Sequence, residues 1–164
     1  MKNPQINLTT TKNAIFMMGA PASGKGYTRT KLFPTTTVFD CDSVKAEHPD
    51  YDPKNPQALH VWSSLETMKR INTAINTSDE DFIYDGTGAN ATRLIDLIEK
   101  SQKNGFNCVV VYVKVSLKTS LARNAKRERV VPTDVVIDKY EQVQKSFEIV
   151  APHANTLTVI NNEN

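Results

Sequence analysis

Residues 13–25 read NAIFMMGAPASGK, a run of apolar residues followed at once by a glycine-rich turn. A continuous apolar run of this length is typical of a strand that is buried on both faces of a parallel sheet. The turn has the spacing G-x-x-x-x-G-K, which predicts a loop whose backbone N–H groups surround a phosphate at the start of a helix. Residues 25–32 continue as that helix, which ends before Pro34. The stretch therefore predicts the strand, loop and helix of a phosphate-binding unit.

The same loop predicts which residues hold a nucleotide. Inward-pointing N–H groups and the partial positive charge of the helix N-terminus favour a triphosphate, whose terminal phosphates Lys25 would bridge. We expect ATP to bind through Gly19, Ala20, Pro21, Ala22, Ser23, Gly24, Lys25, Gly26 and Tyr27. Gly26 departs from the usual pattern, in which a Ser or Thr after the lysine holds Mg²⁺. Magnesium, the second expected cofactor, would then be held through waters and carboxylates.

Predicted strands alternate with predicted helices along the whole chain. Strands are expected at residues 13–18, 36–39, 81–85, 107–115 and 156–160, with helical segments between them. This alternation predicts an α/β fold with a five-stranded parallel sheet between helices. Together with the phosphate loop, it resembles the three-layer sandwich of kinase-type P-loop NTPases. The length fits one domain, residues 1–164, with residues 1–12 as a short leader.

The longest predicted helix covers residues 57–76. Its apolar residues recur every three or four positions, at Leu59, Trp62, Leu65, Met68, Ile71 and Ile75. This spacing places them on one face of a helix. We therefore expect Trp62 and Met68 to pack in the core.

Composition excludes several classes of protein. Hydrophobic residues make up 39% of the chain, enough for a core, and the net charge of +2 argues against a protein that coats polyanions with its whole surface. The apolar runs are too short to span a membrane and the N-terminus lacks a signal pattern, so a cytoplasmic location without a membrane partner is expected.

Cys41 and Cys108 have neither metal-ligand nor redox spacing, which predicts buried free thiols.

Acidic residues stand at the carboxyl ends of two predicted strands. Asp85 ends the third strand, a position from which a carboxylate orders Mg²⁺ and its waters, and a helix-capping or turn role is the alternative. Asp40 and Asp42 end the second strand, at the sheet edge where ligands of such folds bind. One of them could accept a proton from an attacking hydroxyl, and helix capping is the alternative for Asp42.

The segment around these aspartates resembles a known family. Residues 40–45 read DCDSVK, followed by HPDY at residues 48–51, which resembles the acceptor-site motif of P-loop kinases of the zeta-toxin and polynucleotide 5′-hydroxyl kinase group. The resemblance implies that Asp42 is the general base. It also implies that Lys45 binds the acceptor, and Asp40 stands beside them as a candidate acceptor-binding residue.

Two later motifs extend the resemblance to residues 15–161. The sequence DGTG at residues 85–88 resembles the third-strand motif of zeta toxins, and Thr87 in it is a candidate acceptor-binding residue. Residues 121–127 read LARNAKR and resemble the start of the lid of polynucleotide kinases, with the lid itself at about residues 126–133.

The lid resemblance assigns roles to its arginines. It implies that Arg127 stabilises the transferring phosphoryl group and that Arg123 contacts the nucleotide phosphates. Their i, i+4 spacing on a helix would also let them clamp phosphates from one face, and a solvated basic face is the alternative. In related kinases the loop after the last strand lies near the adenine, which implies a base contact for Asn161 or Asn162, and ordinary polar residues after a strand are the alternative.

These residues predict a kinase that moves the γ-phosphoryl group of ATP to a hydroxyl, with Lys25, Asp42 and Arg127 as catalytic residues. The first acceptor hypothesis is the 5′-hydroxyl of a polynucleotide, and the alternative is a nucleotide sugar or other small metabolite. A third hypothesis is an ATP-binding regulator without turnover, which the glycine at position 26 keeps open.

The near-neutral charge is a sum of two opposed regions. Residues 114–129 carry six basic residues and one acid, whereas residues 40–52 carry five acids and one lysine. A basic phosphate clamp and an acidic acceptor side would together suit a kinase. An acidic acceptor side also weakens the polynucleotide hypothesis, because it would repel a long phosphate backbone.

Overall fold

The computed structural model describes residues 5–9, 11–55 and 57–163. Its strands are β1 (Asn13–Met18), β2 (Thr37–Asp40), β3 (Phe82–Asp85), β4 (Asn107–Lys114) and β5 (Thr156–Asn161). Its helices are α1 (Lys25–Leu32), α2 (Cys41–Ala46), α3 (His60–Thr77), α4 (Ala91–Lys103), α5 (Leu117–Ala125) and α6 (Thr133–Val150). The predicted alternation is confirmed, while residues 1–4 and 10 of the predicted leader lie outside the described residues.

The strands form one five-stranded sheet in the order β2-β3-β1-β4-β5, and every neighbouring pair is parallel. All six residues of β1 are buried, as its continuous apolar run predicted for the central strand. In the strand register, Asp85 of β3 lies beside Met17 of β1 on one side and Asp40 of β2 on the other. The carboxyl ends of these strands therefore meet at the sheet edge that also carries the loop after β1.

Helices cover both faces of the sheet because successive strand side chains point to opposite faces. On one face, Phe16 of β1 and Val110 of β4 belong to a core cluster with residues of α3, α4 and α6. On the other face, Ile15 and Met17 belong to a second cluster, against which Leu32 of α1 packs. The phosphate loop thus lies between two packed layers.

The predicted core role of Trp62 in α3 is wrong. Its side chain is 36% exposed and Leu65 is 68% exposed, whereas Ile71 and Ile75 further along α3 are buried. An 18-residue helix is about 27 Å long, but β2 and β3 beneath it are 4-residue strands of about 13 Å. Only the C-terminal half of α3 has the sheet beneath it. Met68 is half-buried and packs against the edge of the core.

The two cysteines are free thiols, as predicted, but only one is fully buried. Burial raises the pKa of the Cys108 thiol to about 12. Cys41 is half-buried at the start of α2. Within the described residues, no helix combines the length and the apolar character needed to cross a membrane.

We expect Gly88→Ala to destabilise the fold. Gly88 lies after β3 at φ +80°, and an added Cβ would lie 2.7 Å from Cγ of the buried Met18. The strained backbone and the clash should together lower the free energy of unfolding by about 3 kcal/mol, measured by urea denaturation. Gly26→Ala is the matched control, because a Cβ there meets nothing within 4 Å and alanine favours a helix by about 1 kcal/mol. Equal stability of the two variants would contradict this prediction.

Candidate active site at the phosphate loop

The loop between β1 and α1 has a backbone suited to an anion. Ala22 and Gly24 both adopt positive φ, 59° and 82°. Changes of backbone handedness of this kind form concave nests of N–H groups that bind anions. Gly24 is the N-cap of α1 and no side chain caps the helix there, so its first N–H groups are left for a ligand.

Residues from three other segments hold this loop in place. The N–H of Gly19 donates to the carbonyl oxygen of Thr87 at 3.0 Å. The carbonyl oxygen of Ser23 accepts from Asn162 Nδ2 at 2.8 Å and from Arg123 Nη1 at 3.3 Å. Arg123 also donates to the carbonyl oxygen of Asn162 at 2.6 Å. Arg123 therefore braces the loop in this structure, and its contact with nucleotide phosphates stays a prediction.

A cavity of about 680 Å³ opens over the loop. It is lined by Gly19, Ala20, Pro21, Ala22, Ser23, Gly24, Lys25, Gly26, Tyr27, Asp42, Thr87, Arg123, Arg127, Arg129, Val131 and Asn162. Its volume is typical of a small-molecule site. The cavity thus brings together the predicted nucleotide loop, the predicted base and both predicted arginines.

The loop residues fit the phosphates of a nucleotide. The hydroxyl of Ser23 is buried and has no hydrogen-bond partner among the described residues, so a ligand oxygen could satisfy it. A Cβ on Gly19 would lie 2.7 Å from that hydroxyl, and one on Gly24 would lie 2.3 Å from Asn162 Nδ2. Glycine at these positions keeps the cradle open.

A buried ion-pair cluster lies beside the cavity, at the end of β3. The carboxylate of Asp85 accepts from Lys25 Nζ through Oδ1 and from Arg29 Nη1 through Oδ2. The Asp85 side chain is 5% exposed. Lys25 and Asp85 were predicted from the sequence, whereas Arg29 was not. The available signal for Arg29 was its position one helical turn after Lys25.

The two aspartates at the start of α2 differ in their contacts. Asp40 caps the helix, because its Oδ1 accepts from the N–H of Asp42 at 2.9 Å and its Oδ2 accepts from the Ser43 hydroxyl at 3.2 Å. Asp42 is exposed and lines the cavity. Lys45 is 6% exposed, on the same helix but outside the cavity lining. The acceptor-binding roles of Asp40 and Lys45 stay predictions, and of these three side chains only that of Asp42 lines the cavity.

The side chain of Asn124 holds the connection between α5 and α6 through two hydrogen bonds. Asn124 Nδ2 donates to the carbonyl oxygen of Val131 at 2.7 Å, and its Oδ1 accepts from the Val131 N–H at 3.1 Å. These two hydrogen bonds hold the turn that follows the end of α5 at Ala125, so Arg127 lies beyond the helix.

The arginines consequently reach the cavity from different elements. Arg123 lies on α5, whereas Arg127 and Arg129 are exposed in the connection that follows it. The prediction of a shared helix face for Arg123 and Arg127 is wrong, yet both line the same cavity. Arg129 adds a third guanidinium that the sequence analysis did not assign to the site.

The two asparagines with a predicted base contact, Asn161 and Asn162, differ in their position relative to the cavity. Asn161 is the last residue of β5 and lies outside the cavity lining, whereas Asn162 lines it. Glu163 accepts from the Thr119 hydroxyl at 2.5 Å and from the Ser116 N–H at the start of α5. These hydrogen bonds lower the pKa of Glu163, and the one from Thr119 has the largest effect. Asn162 and Glu163 thus connect α5 with the phosphate loop.

The described residues do not make a metal site by themselves. Gly26 offers no hydroxyl, and both oxygens of Asp85 already accept from cations. Throughout the described residues, no cluster of three or more His, Cys, Asp or Glu side chains could hold a metal ion. The water-mediated contact of Asp85 with Mg²⁺ stays a prediction.

Sequence comparison identifies a family for nearly the whole chain. Residues 2–164 match the zeta toxin family. Among curated proteins, none matches the sequence.

Solved structures share the fold at low sequence identity. A structure of the AvrRxo1-ORF1:-ORF2 complex superposes with a TM-score of 0.72 at 14% identity, over 86% of this chain and 50% of that one. The PezAT toxin-antitoxin system of Streptococcus pneumoniae gives 0.64 at 12% identity, over 94% and 69% of the two chains. Deoxyadenosine kinase from M. mycoides with bound dATP gives 0.58 at 15% identity, over 90% of each chain. The present chain spans half the length of the first of these relatives, and identities this low show the fold, which is that of P-loop kinases.

Proposed function

Because the chain belongs to the zeta toxin family over residues 2–164, we propose that it is an ATP-dependent kinase of a small hydroxyl compound, such as a nucleotide sugar. The observation that carries this proposal is one cavity that joins the phosphate loop and Lys25 to the exposed carboxylate of Asp42 and the guanidinium of Arg127. Phosphoryl transfer needs mainly positioning and charge stabilisation, which these groups can supply.

Each residue has a distinct role in the proposal. The loop N–H groups and Lys25 hold the phosphates of ATP, which supplies the γ-phosphoryl group. Asp42 accepts the proton of the attacking hydroxyl, and Arg127 neutralises charge on the transferring group. In this proposal residues 1–164 form one domain, in which the segment at about residues 126–133 is the lid. The proposed location is the cytoplasm, because it contains ATP.

The charges that follow α2 favour a small acceptor. Asp50 and Asp52 are exposed there, whereas Glu47 is ion-paired with Arg70 and Lys45 is buried. An acidic rim raises the free energy of placing a polyphosphate chain beside Asp42. A small acceptor carries fewer phosphate groups than a nucleic acid, so these carboxylates repel it less.

The second candidate acceptor is the 5′-hydroxyl of a polynucleotide. Lys126, Arg127 and Arg129 are exposed together in the connection after α5. Such a basic segment could contact a nucleic-acid backbone next to the phosphate loop. In both candidates the acceptor hydroxyl lies at Asp42, and they differ in whether the basic segment also contacts the acceptor.

An acceptor panel tests the proposal. The protein is incubated with γ-labelled ATP and, separately, UDP-sugars, nucleosides, 5′-hydroxyl DNA and 5′-hydroxyl RNA. We expect label on a small acceptor. Label on the oligonucleotides instead would favour the second candidate, and tight ATP binding with label on no acceptor would favour a regulator without turnover.

A further inference from the structure

Arg29 is a cation next to the candidate nucleotide site, and neither the loop motif nor the family resemblance predicts it. It lies on α1, four residues after Lys25, and its guanidinium contacts Asp85 on β3. Lys25 contacts the other oxygen of the same carboxylate. Two cations therefore share one carboxylate, whose side chain is 5% exposed.

Nucleotide binding places a conflicting demand on Lys25. In the proposed function, on which this inference rests, Lys25 contacts the phosphates and so has to leave Asp85. A buried carboxylate that loses its cation is strongly destabilised, because the desolvation penalty is no longer offset. Without a second cation, Asp85 would hold Lys25 back from the nucleotide.

We propose that Arg29 is a positioning residue that keeps Asp85 ion-paired when Lys25 moves to the nucleotide phosphates. Arg29 lies outside the residues that line the cavity, so it acts through Asp85 rather than by touching the ligand. The Arg29 side chain is 22% exposed, so it is largely removed from water beside the carboxylate. Arg29 thereby lowers the free-energy cost of releasing Lys25.

The alternative is that Arg29 merely ties α1 to β3. Removal of Arg29 would then lower stability, and further removal of the Asp85 charge would not restore nucleotide binding. In our proposal the Asp85 charge is itself the cause of the weakened binding, because it competes with the phosphates for Lys25. A double-mutant cycle between positions 29 and 85 separates the two explanations.

The test measures the Kd for ADP by calorimetry in the presence of EDTA, so that no metal ion and no turnover contributes. We expect Arg29→Ala and Arg29→Gln to weaken ADP binding about tenfold or more, and Arg29→Lys to bind nearly as the unmodified protein. Asp85→Asn should bind ADP at least as tightly as the unmodified protein. The double variant Arg29→Ala/Asp85→Asn should return to within about threefold of Asp85→Asn.

Lys31→Ala is the matched control, because Lys31 is an exposed cation on the same helix, outside the cavity lining. It should leave the Kd unchanged within about twofold. Unchanged binding by Arg29→Ala, or weakened binding that Asp85→Asn does not rescue, would overturn the inference; Arg29→Gln replaces Arg29→Ala if the alanine variant does not fold. Failure of the unmodified protein to bind ADP either in EDTA or with added Mg²⁺ would instead overturn the proposed function, and this inference with it.

Discussion

Arg127→Ala is expected to lower kcat for phosphoryl transfer by about 10³-fold to 10⁵-fold, the range attributed to an arginine at the transferring group. Arg127 is exposed in the connection after α5 and lines the cavity over the phosphate loop. Because the guanidinium of Arg127 mainly stabilises charge that develops in the transition state, the Kd for ATP should change much less than kcat. Steady-state kinetics and calorimetry together measure the two effects.

The control for Arg127 is its neighbour in the same connection. Lys126→Ala removes the same charge from an exposed residue that lies outside the cavity lining. It should keep kcat within about twofold of the unmodified protein. If both variants lose activity equally, the general charge of the segment matters and Arg127 has no specific role.

Asp42→Asn is expected to lower kcat by about 10²-fold to 10⁴-fold, the usual contribution of a general base. The change keeps the shape of the side chain but removes its ability to accept the hydroxyl proton. ATP binding should be retained, because the loop and Lys25 are untouched. The measurement compares single-turnover rates at saturating ATP with the Kd for ATP.

Asp50→Asn supplies the comparison for Asp42, because it removes a charge from the same exposed acidic segment at a residue outside the cavity lining. Its turnover should remain close to that of the unmodified protein. Kinase activity retained by Asp42→Asn would remove Asp42 from its role as base, and Asp40→Asn would then be tested next despite its capping contacts.

Most of the fold could be predicted because its signals are local. The apolar runs of β1 and β4 correspond to buried central strands, and glycine and proline mark the ends of the helices beside them. The exposure of Trp62 could not be predicted in the same way. Periodicity defines a face of α3, but the length of sheet beneath that face depends on distant strands.

Site residues that belong to a sequence motif could be predicted, whereas residues that only packing brings together were missed. The phosphate loop is contiguous in sequence, so its spacing alone identified it. The pairing of Arg29 with Asp85 joins residues 56 positions apart and depends on how α1 packs beside β3. The early end of α5 likewise depends on the contact of the Asn124 side chain with Val131.

Transfer of the terminal phosphoryl group can be followed with labelled ATP. The protein and the Asp42→Asn variant are each incubated with the acceptor panel and either γ-labelled or α-labelled ATP. We predict that the γ label alone moves to an acceptor and that the variant loses this transfer while it still binds ATP. Binding of ATP by the unmodified protein with no γ label on any acceptor would contradict the account.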